Sequence, residues 1–245
     1  MLTSGSPTLA WSHLVARALQ TCYTDQTVQF SKCTSVHPEV EMWENKAAEA
    51  LAGAREVFFR CGYEGARVDG IAAKGKVSKA TLYAHFPSKE QLFLRVVDTE
   101  CERLAAEIVR PLQGNANFHE QLEQIANRII DLVLDDDYIR LLRTCIGAAE
   151  TLPEAARQYM KAGPERAIAF IEANLKAAEE RGRLSIDNTR LASERFIHMC
   201  ISGVLIPRLL AVERSVDREQ CAKDAVALFL KLYGVKGASS SCEAE

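Results

Sequence analysis

Apolar residues recur along the chain with a period near 3.6, the pattern of helices that bury one face. From residue 44 the stripe Ala47, Leu51, Ala54, Val57, Phe58 and Cys61 predicts a helix that closes at Gly62, a residue suited to the left-handed conformation that ends helices. Val68, Ile71, Ala72 and Val77 predict a short second helix and its turn. Ser78 can accept a bond from an exposed amide and cap a short third helix reaching about His85. Pro87 stops that helix, and Ser88-Lys89-Glu90-Gln91 has the spacing of a capping box. Leu92, Val96, Leu104 and Ile108 then carry the apolar face of a long fourth helix to Pro111. Further helices are expected over 118–134, 138–150, 153–161, 164–181, 188–212 and 216–233, with a kink or break near Gly203 because Pro207 cannot donate to the helical ladder. No segment alternates as a strand would.

The two ends differ from the rest. Residues 1–43 are rich in Ser and Thr and sparse in charge, yet Trp11, Leu14, Val15, Ala18, Leu19 and Cys22 share one helical face. That segment is read as an extension, either one extra packing helix or unstructured, or as chain preceding a true start at Met42. The Ser-rich residues 235–245 read as a disordered tail. The expected organisation is all-α: a helix-turn-helix unit over 44–92 and a helical ligand-binding and dimerisation bundle over 93–234.

Charge sharpens this picture. The chain is net −3, which gives no bulk attraction to nucleic acid. Within residues 66–89, however, Arg67, Lys74, Lys76, Lys79 and Lys89 face Asp69 alone, a local charge of +4. The eight cysteines fall singly, without CxxC spacing, as in a reducing cytosol. No apolar run approaches the roughly 20 residues of a membrane span. A cytoplasmic protein without membrane contact is expected.

Two short helices around a tight turn, flanked by supporting helices, are the layout that presents a helix to the DNA major groove. Gly62-Tyr63, Ile71-Ala72 and above all the run from Val77 to Phe93, VSKATLYAHFPSKEQLF, closely resemble the TetR family of transcriptional regulators. The resemblance implies that the third helix reads bases through Ser78, Lys79, Ala80 and Thr81, and that Tyr83, His85 and Lys89 hold the phosphate backbone. Three positions depart from the family pattern. Ala66-Arg67 stands where a Thr or Ser caps the second helix, so Arg67 would replace that phosphate contact by charge. Gly70 lies inside the second helix at a cost of roughly 1 kcal/mol relative to Ala. Lys76 occupies the turn position that most often holds Gly, either strained in a left-handed conformation or in an altered turn, and adds a further cation to the DNA-facing set.

Other classes fit less well. Gly70 to Lys76 matches the start of a phosphate-cradling P-loop, but Val77 stands where a magnesium-binding hydroxyl is needed and no strand precedes it. HExxH, GxSxG and paired metal-ligand spacings are absent, so no catalytic residue, cofactor or metal is implied. A ligand-independent DNA-organising protein is the alternative, and a helical enzyme comes after it. For the basic cluster, the competing reading is a solvated helix face without a partner.

Further along, Leu141-Leu142-Arg143, Ala149-Glu150, Leu152-Pro153-Glu154, Gly163-Pro164-Glu165-Arg166 and Arg181-Gly182-Arg183-Leu184 resemble the C-terminal region of the AefR-like branch of that family. The resemblance implies a homodimeric repressor, bound to a palindromic double-stranded operator and released by a small-molecule effector. Ile129, Val133, Leu142, Cys145, Phe170 and Met199 are candidate pocket residues, with Arg143 and Glu150 as polar handles; an apolar stripe is equally the mark of ordinary core. Phe196, Ile201, Val204, Leu205, Val226, Phe229 and Tyr233 are candidates for the dimer face, with the same competing reading.

Overall fold

The computed structural model describes residues 38–112, 114 and 116–235, with side chains from Met42 onward. The extra helix expected around Trp11 to Cys22 and the Ser-rich tail lie outside the described residues. The chain divides into a unit Met1–Glu44, whose described residues are the first turns of α1, and a unit Asn45–Glu245, to which everything below refers.

The helices are α1 (Pro38–Gly65), α2 (Val68–Lys74), α3 (Lys79–His85), α4 (Lys89–Val109), α5 (Phe118–Leu134), α6 (Asp136–Ala148), α7 (Pro153–Ala162), α8 (Pro164–Glu180), α9 (Thr189–Ile201), α10 (Leu205–Leu209) and α11 (Arg218–Tyr233). The described residues contain no strand, and Leu184 and Gly234 form one isolated bridge. At Gly62 the backbone leaves the helical region, with φ 71° and ψ 176°, so the stripe of α1 ends where the glycine predicted. The following turn swings Tyr63 back onto Phe58 and Phe93, with ring centroids 6.2 and 5.0 Å away.

Caps explain most boundaries. The hydroxyls of Ser78 and Ser88 accept from the amides of Thr81 and Gln91, starting α3 and α4. The Ser88 bond is half of the expected capping box; the complete reciprocal box is at Asn117 and Glu120, heading α5. Asp135 accepts from the Tyr138 amide and starts α6 two residues earlier than the apolar stripe suggests. Pro153 and Pro164 occupy first-turn positions of α7 and α8, where a missing N–H costs nothing. The apolar segment 188–212 breaks at Gly203, φ 74°, giving α9 and α10.

Two buried clusters share α4. The first joins α1, α2, α3, α6 and α7 to the N-terminal half of α4 through Phe58, Ile71, Leu82, Phe93, Val97 and Leu141. The second joins α5, α8, α9 and α11 to Ile108 at its far end through Ile125, Leu175, Phe196 and Phe229. The helix-turn-helix is therefore packed into the same core as α6 and α7. The last turn of α4 is held by Arg128 of α5, whose guanidinium donates to the carbonyls of Ile108, Arg110 and Pro111 and satisfies groups a helix end leaves open.

Candidate functional site

The α2–α3 corner is set by a close approach of backbones. A methyl on Gly53 of α1 would lie 2.3 Å from the Gly75 amide nitrogen, and one on Gly75 would lie 2.8 Å from the Glu49 carbonyl oxygen. Only hydrogen fits on either side. The strain of the turn falls one residue later, at Lys76, which takes φ 51° in the left-handed region. Of the two alternatives for Lys76, the left-handed conformation is the one observed.

From this corner α3 projects with Leu82 alone fully buried; Val77 packs partly beneath it. Lys79, Ala80 and Tyr83 are exposed, and Thr81 and His85 are half-buried. The Ser78 and Thr81 hydroxyls lie 2.8 Å apart, so the cap and the outward face share one hydroxyl pair. Arg67 is exposed at the N-cap of α2 and makes no side-chain cap bond, which fits the absence of the family's hydroxyl there. Burial lowers the His85 pKa from its ordinary value.

The cations of this segment are not equivalent. Lys74 turns back to Glu56 at 2.5 Å, which lowers the Glu56 pKa. Lys79 pairs with Asp69. The Lys89 ammonium sits 4.6 Å from the centre of the Tyr63 ring and donates to the Glu64 carbonyl at 3.3 Å. Among the described residues no carboxylate pairs with Arg67 or Lys76. Exposed pairs of this kind are worth about 1 kcal/mol or less, so a phosphate can displace them readily.

A second feature lies within the helices beyond. A cavity of about 90 Å³ is lined by α4 (Cys101, Leu104, Ala105, Ile108), α5 (Ile129, Leu132, Val133), α6 (Tyr138, Leu141), the α7–α8 corner (Tyr159, Gly163, Pro164, Ala167) and α9 (Ile197, Ile201). The Tyr159 hydroxyl donates to that of Tyr138 at 3.1 Å, and the Cys101 thiol points to the Tyr159 carbonyl at 3.9 Å. Burial pushes the Cys101 thiol up to about 12 and raises both tyrosines, so these groups stay protonated and the lining carries no charge.

Of the pocket residues expected from sequence, Ile129 and Val133 line this cavity. Leu142 and Cys145 pack in or against the first core cluster, and Phe170 against the second. Met199 lines a surface groove between α9 and α11 instead. Arg143 is committed elsewhere, donating to the carbonyls of Arg208 and Leu209 at 2.6 and 2.9 Å, while Glu150 is exposed. Sequence reading missed Cys101, Tyr138 and Tyr159, because their convergence depends on helices distant in sequence.

The cavity and the helix-turn-helix meet through chain neighbours. Glu100, 6% exposed, precedes Cys101 and binds the Arg55 Nε of α1 at 2.8 Å. Asp137 precedes Tyr138 and pairs with the same guanidinium. Arg55 is thus gripped by the residues adjoining two cavity-lining side chains.

A helix-turn-helix packed onto a helical body is the layout of a DNA-binding regulator. The profile for bacterial regulatory proteins of the tetR family matches residues 50–96, and that for the C-terminal domain of AefR-like transcriptional repressors matches 120–235. The chain belongs to the TetR family and is a DNA-binding transcriptional regulator rather than an enzyme. The HTH-type transcriptional regulator UidR of Escherichia coli K12 is 26% identical over 191 residues, covering 75% of this chain and 91% of that protein. The HTH-type transcriptional activator FasR of Mycolicibacterium smegmatis is 30% identical over 93 residues, 38% of this chain and 42% of that protein. Among solved structures, the flavonoid-responsive regulator FrrA superposes with a TM-score of 0.69 at 26% identity, covering 79% of this chain and 99% of that one.

Proposed function

We propose that the protein is a cytoplasmic homodimeric repressor that binds a palindromic operator through α3 and leaves it when a small molecule occupies the cavity between α4, α5, α6 and α9. Ser78, Lys79, Ala80 and Thr81 face base edges, while Arg67, Lys76, Tyr83, His85 and Lys89 hold phosphates. The repressor sense is supported by the AefR-like match, and ligand response by the likeness to FrrA.

Of the residues expected at a dimer face, Ile201, Leu205 and Tyr233 are half-buried and stay available to a partner, and the other four are not. Phe196, Val204, Val226 and Phe229 are 0–3% exposed and fill the chain's own core. Periodicity could not separate the inner from the outer faces of these helices. Leu228, Leu232 and Val235 of the α11 segment and Leu191 of α9 are the exposed apolar residues there, available to a second copy.

Release is carried by one observation: Cys101 and Tyr138 line the cavity while Glu100 and Asp137, their neighbours, hold Arg55 of α1. A ligand that spreads α4 from α6 pulls the two carboxylates apart and shifts α1, and with it the corner at Gly53 and Gly75. Ligand affinity must differ between the two arrangements for this to move the equilibrium. Ala105→Phe projects a ring into the cavity and stands in for the ligand; it is expected to weaken operator binding about tenfold. Adding Arg55→Met is expected to remove most of that effect. A folded Ala105→Phe protein that binds as tightly as the parent contradicts the coupling.

A further inference from the structure

We infer that the cavity takes an uncharged, slender, largely apolar molecule with one oxygen that accepts a hydrogen bond from the Tyr138 hydroxyl. This deepens the sensing role proposed above and rests on it for its consequence at the operator, though not for the binding itself.

The lining decides the class. No Asp, Glu, Lys, Arg or His is among the residues that line the cavity. A carboxylate or ammonium placed there would surrender its hydration with no opposite charge to meet it, which a binding site of this kind cannot recover. The polar groups gather at one end. Tyr159 donates to Tyr138, and among the described residues the Tyr138 proton has no acceptor of its own. A ligand carbonyl, ether or hydroxyl oxygen completes that chain, whereas a pure hydrocarbon leaves it open.

Shape follows from α4. Cys101 and Ile108, seven residues apart on one helix, both line the cavity, so it extends along α4 for about 10 Å at the helical rise of 1.5 Å per residue. From the polar end at Cys101, Tyr138 and Tyr159 it runs to Ile108, with Ile129 and Ile197 also lining it. Its 90 Å³ is well below the roughly 300 Å³ at which drug-sized pockets begin, so a molecule of that length is fully covered only by spreading the helices. Slender neutral molecules minimise that spreading.

The test uses one six-carbon skeleton with four ends: 2-hexanone, 1-hexanol, hexanoate and hexylammonium, titrated into the full chain by calorimetry and followed by thermal unfolding. The two neutral compounds are expected to bind and raise the melting temperature, and the two ions to bind at least 100-fold more weakly. Tyr138→Phe is expected to weaken 2-hexanone about 3- to 10-fold, the worth of one hydrogen bond, and Ile129→Phe to weaken both neutral compounds by filling the cavity. Either ion binding as well as the ketone, or no neutral compound binding up to its solubility, overturns the assignment. So does a folded Tyr138→Phe protein with unchanged ketone affinity. Operator affinity is measured separately by fluorescence anisotropy: neutral binding with no change at the operator leaves the ligand class standing and overturns the sensing role.

Discussion

The contact between Gly53 and Gly75 predicts opposite outcomes for one substitution made at two glycines. In an unobstructed helix, replacing Gly with Ala stabilises by up to about 1 kcal/mol, because Ala loses less backbone freedom on folding. At Gly70 of α2 an added methyl meets nothing within 4 Å, so Gly70→Ala should show that gain. At Gly53 the same methyl would lie 2.3 Å from the Gly75 nitrogen and 2.6 Å from its Cα. Ordinary carbon contacts begin near 3.5 Å, so α1 and the turn must part by about 1 Å. The obstructing atoms are backbone and cannot rotate away. Overpacking of this sort costs about 1–3 kcal/mol and exceeds the propensity gain. At about 2–4 °C per kcal/mol for a chain of this size, Gly70→Ala should raise the melting temperature by about 2–4 °C, and Gly53→Ala, at a net cost of up to about 2 kcal/mol, should lower it by up to about 8 °C. Thermal unfolding by circular dichroism reads both, and operator affinity should fall with Gly53→Ala alone. A Gly53→Ala protein as stable as the Gly70→Ala protein would refute the close approach.

Three further outcomes follow. Lys76→Gly should stabilise by about 1 kcal/mol by relieving the left-handed lysine, yet lower the salt dependence of operator binding by about one unit of slope, measured by anisotropy across salt concentrations. Lys89→Ala should weaken binding nearly uniformly across sequences with the same loss of slope, while base discrimination survives; altered sequence preference would place Lys89 among the base readers. Burial depresses the His85 pKa in the folded state, so the unfolded chain takes up the proton first. The contribution of this group is therefore fully present above about pH 6.5 and is lost as pH falls below it, and His85→Phe should flatten that part of the stability profile measured by denaturant titration.

What was legible in the sequence is what is written locally. Ser78, Ser88, Pro153 and Pro164 announce helix starts within a turn of where they act, and Gly62 and Gly203 mark breaks realised at those residues. At the α2–α3 corner the sequence left two conformations open for Lys76, and the backbone there takes the left-handed one. Long-range partners were not. Arg128 closes the end of a helix 17 to 20 residues earlier, and Arg55 meets an aspartate 82 residues away. Gly53 has no local role that would mark it; its value comes from Gly75 crossing over it. The cavity shows the same limit: Ile129 and Val133 belong to it, but an apolar stripe gives no sign of which members line an empty space and which, like Leu142 and Phe170, simply pack.

The central claim is sequence-specific operator recognition by α3, and genome-wide selection of DNA fragments by the purified protein at defined salt tests it most directly. A palindromic site, bound by the parent and lost on replacing Lys79 and Thr81 by Ala in a protein that still folds, is the expected result. Binding that is salt-sensitive but indifferent to sequence, or that survives those replacements unchanged, would contradict it.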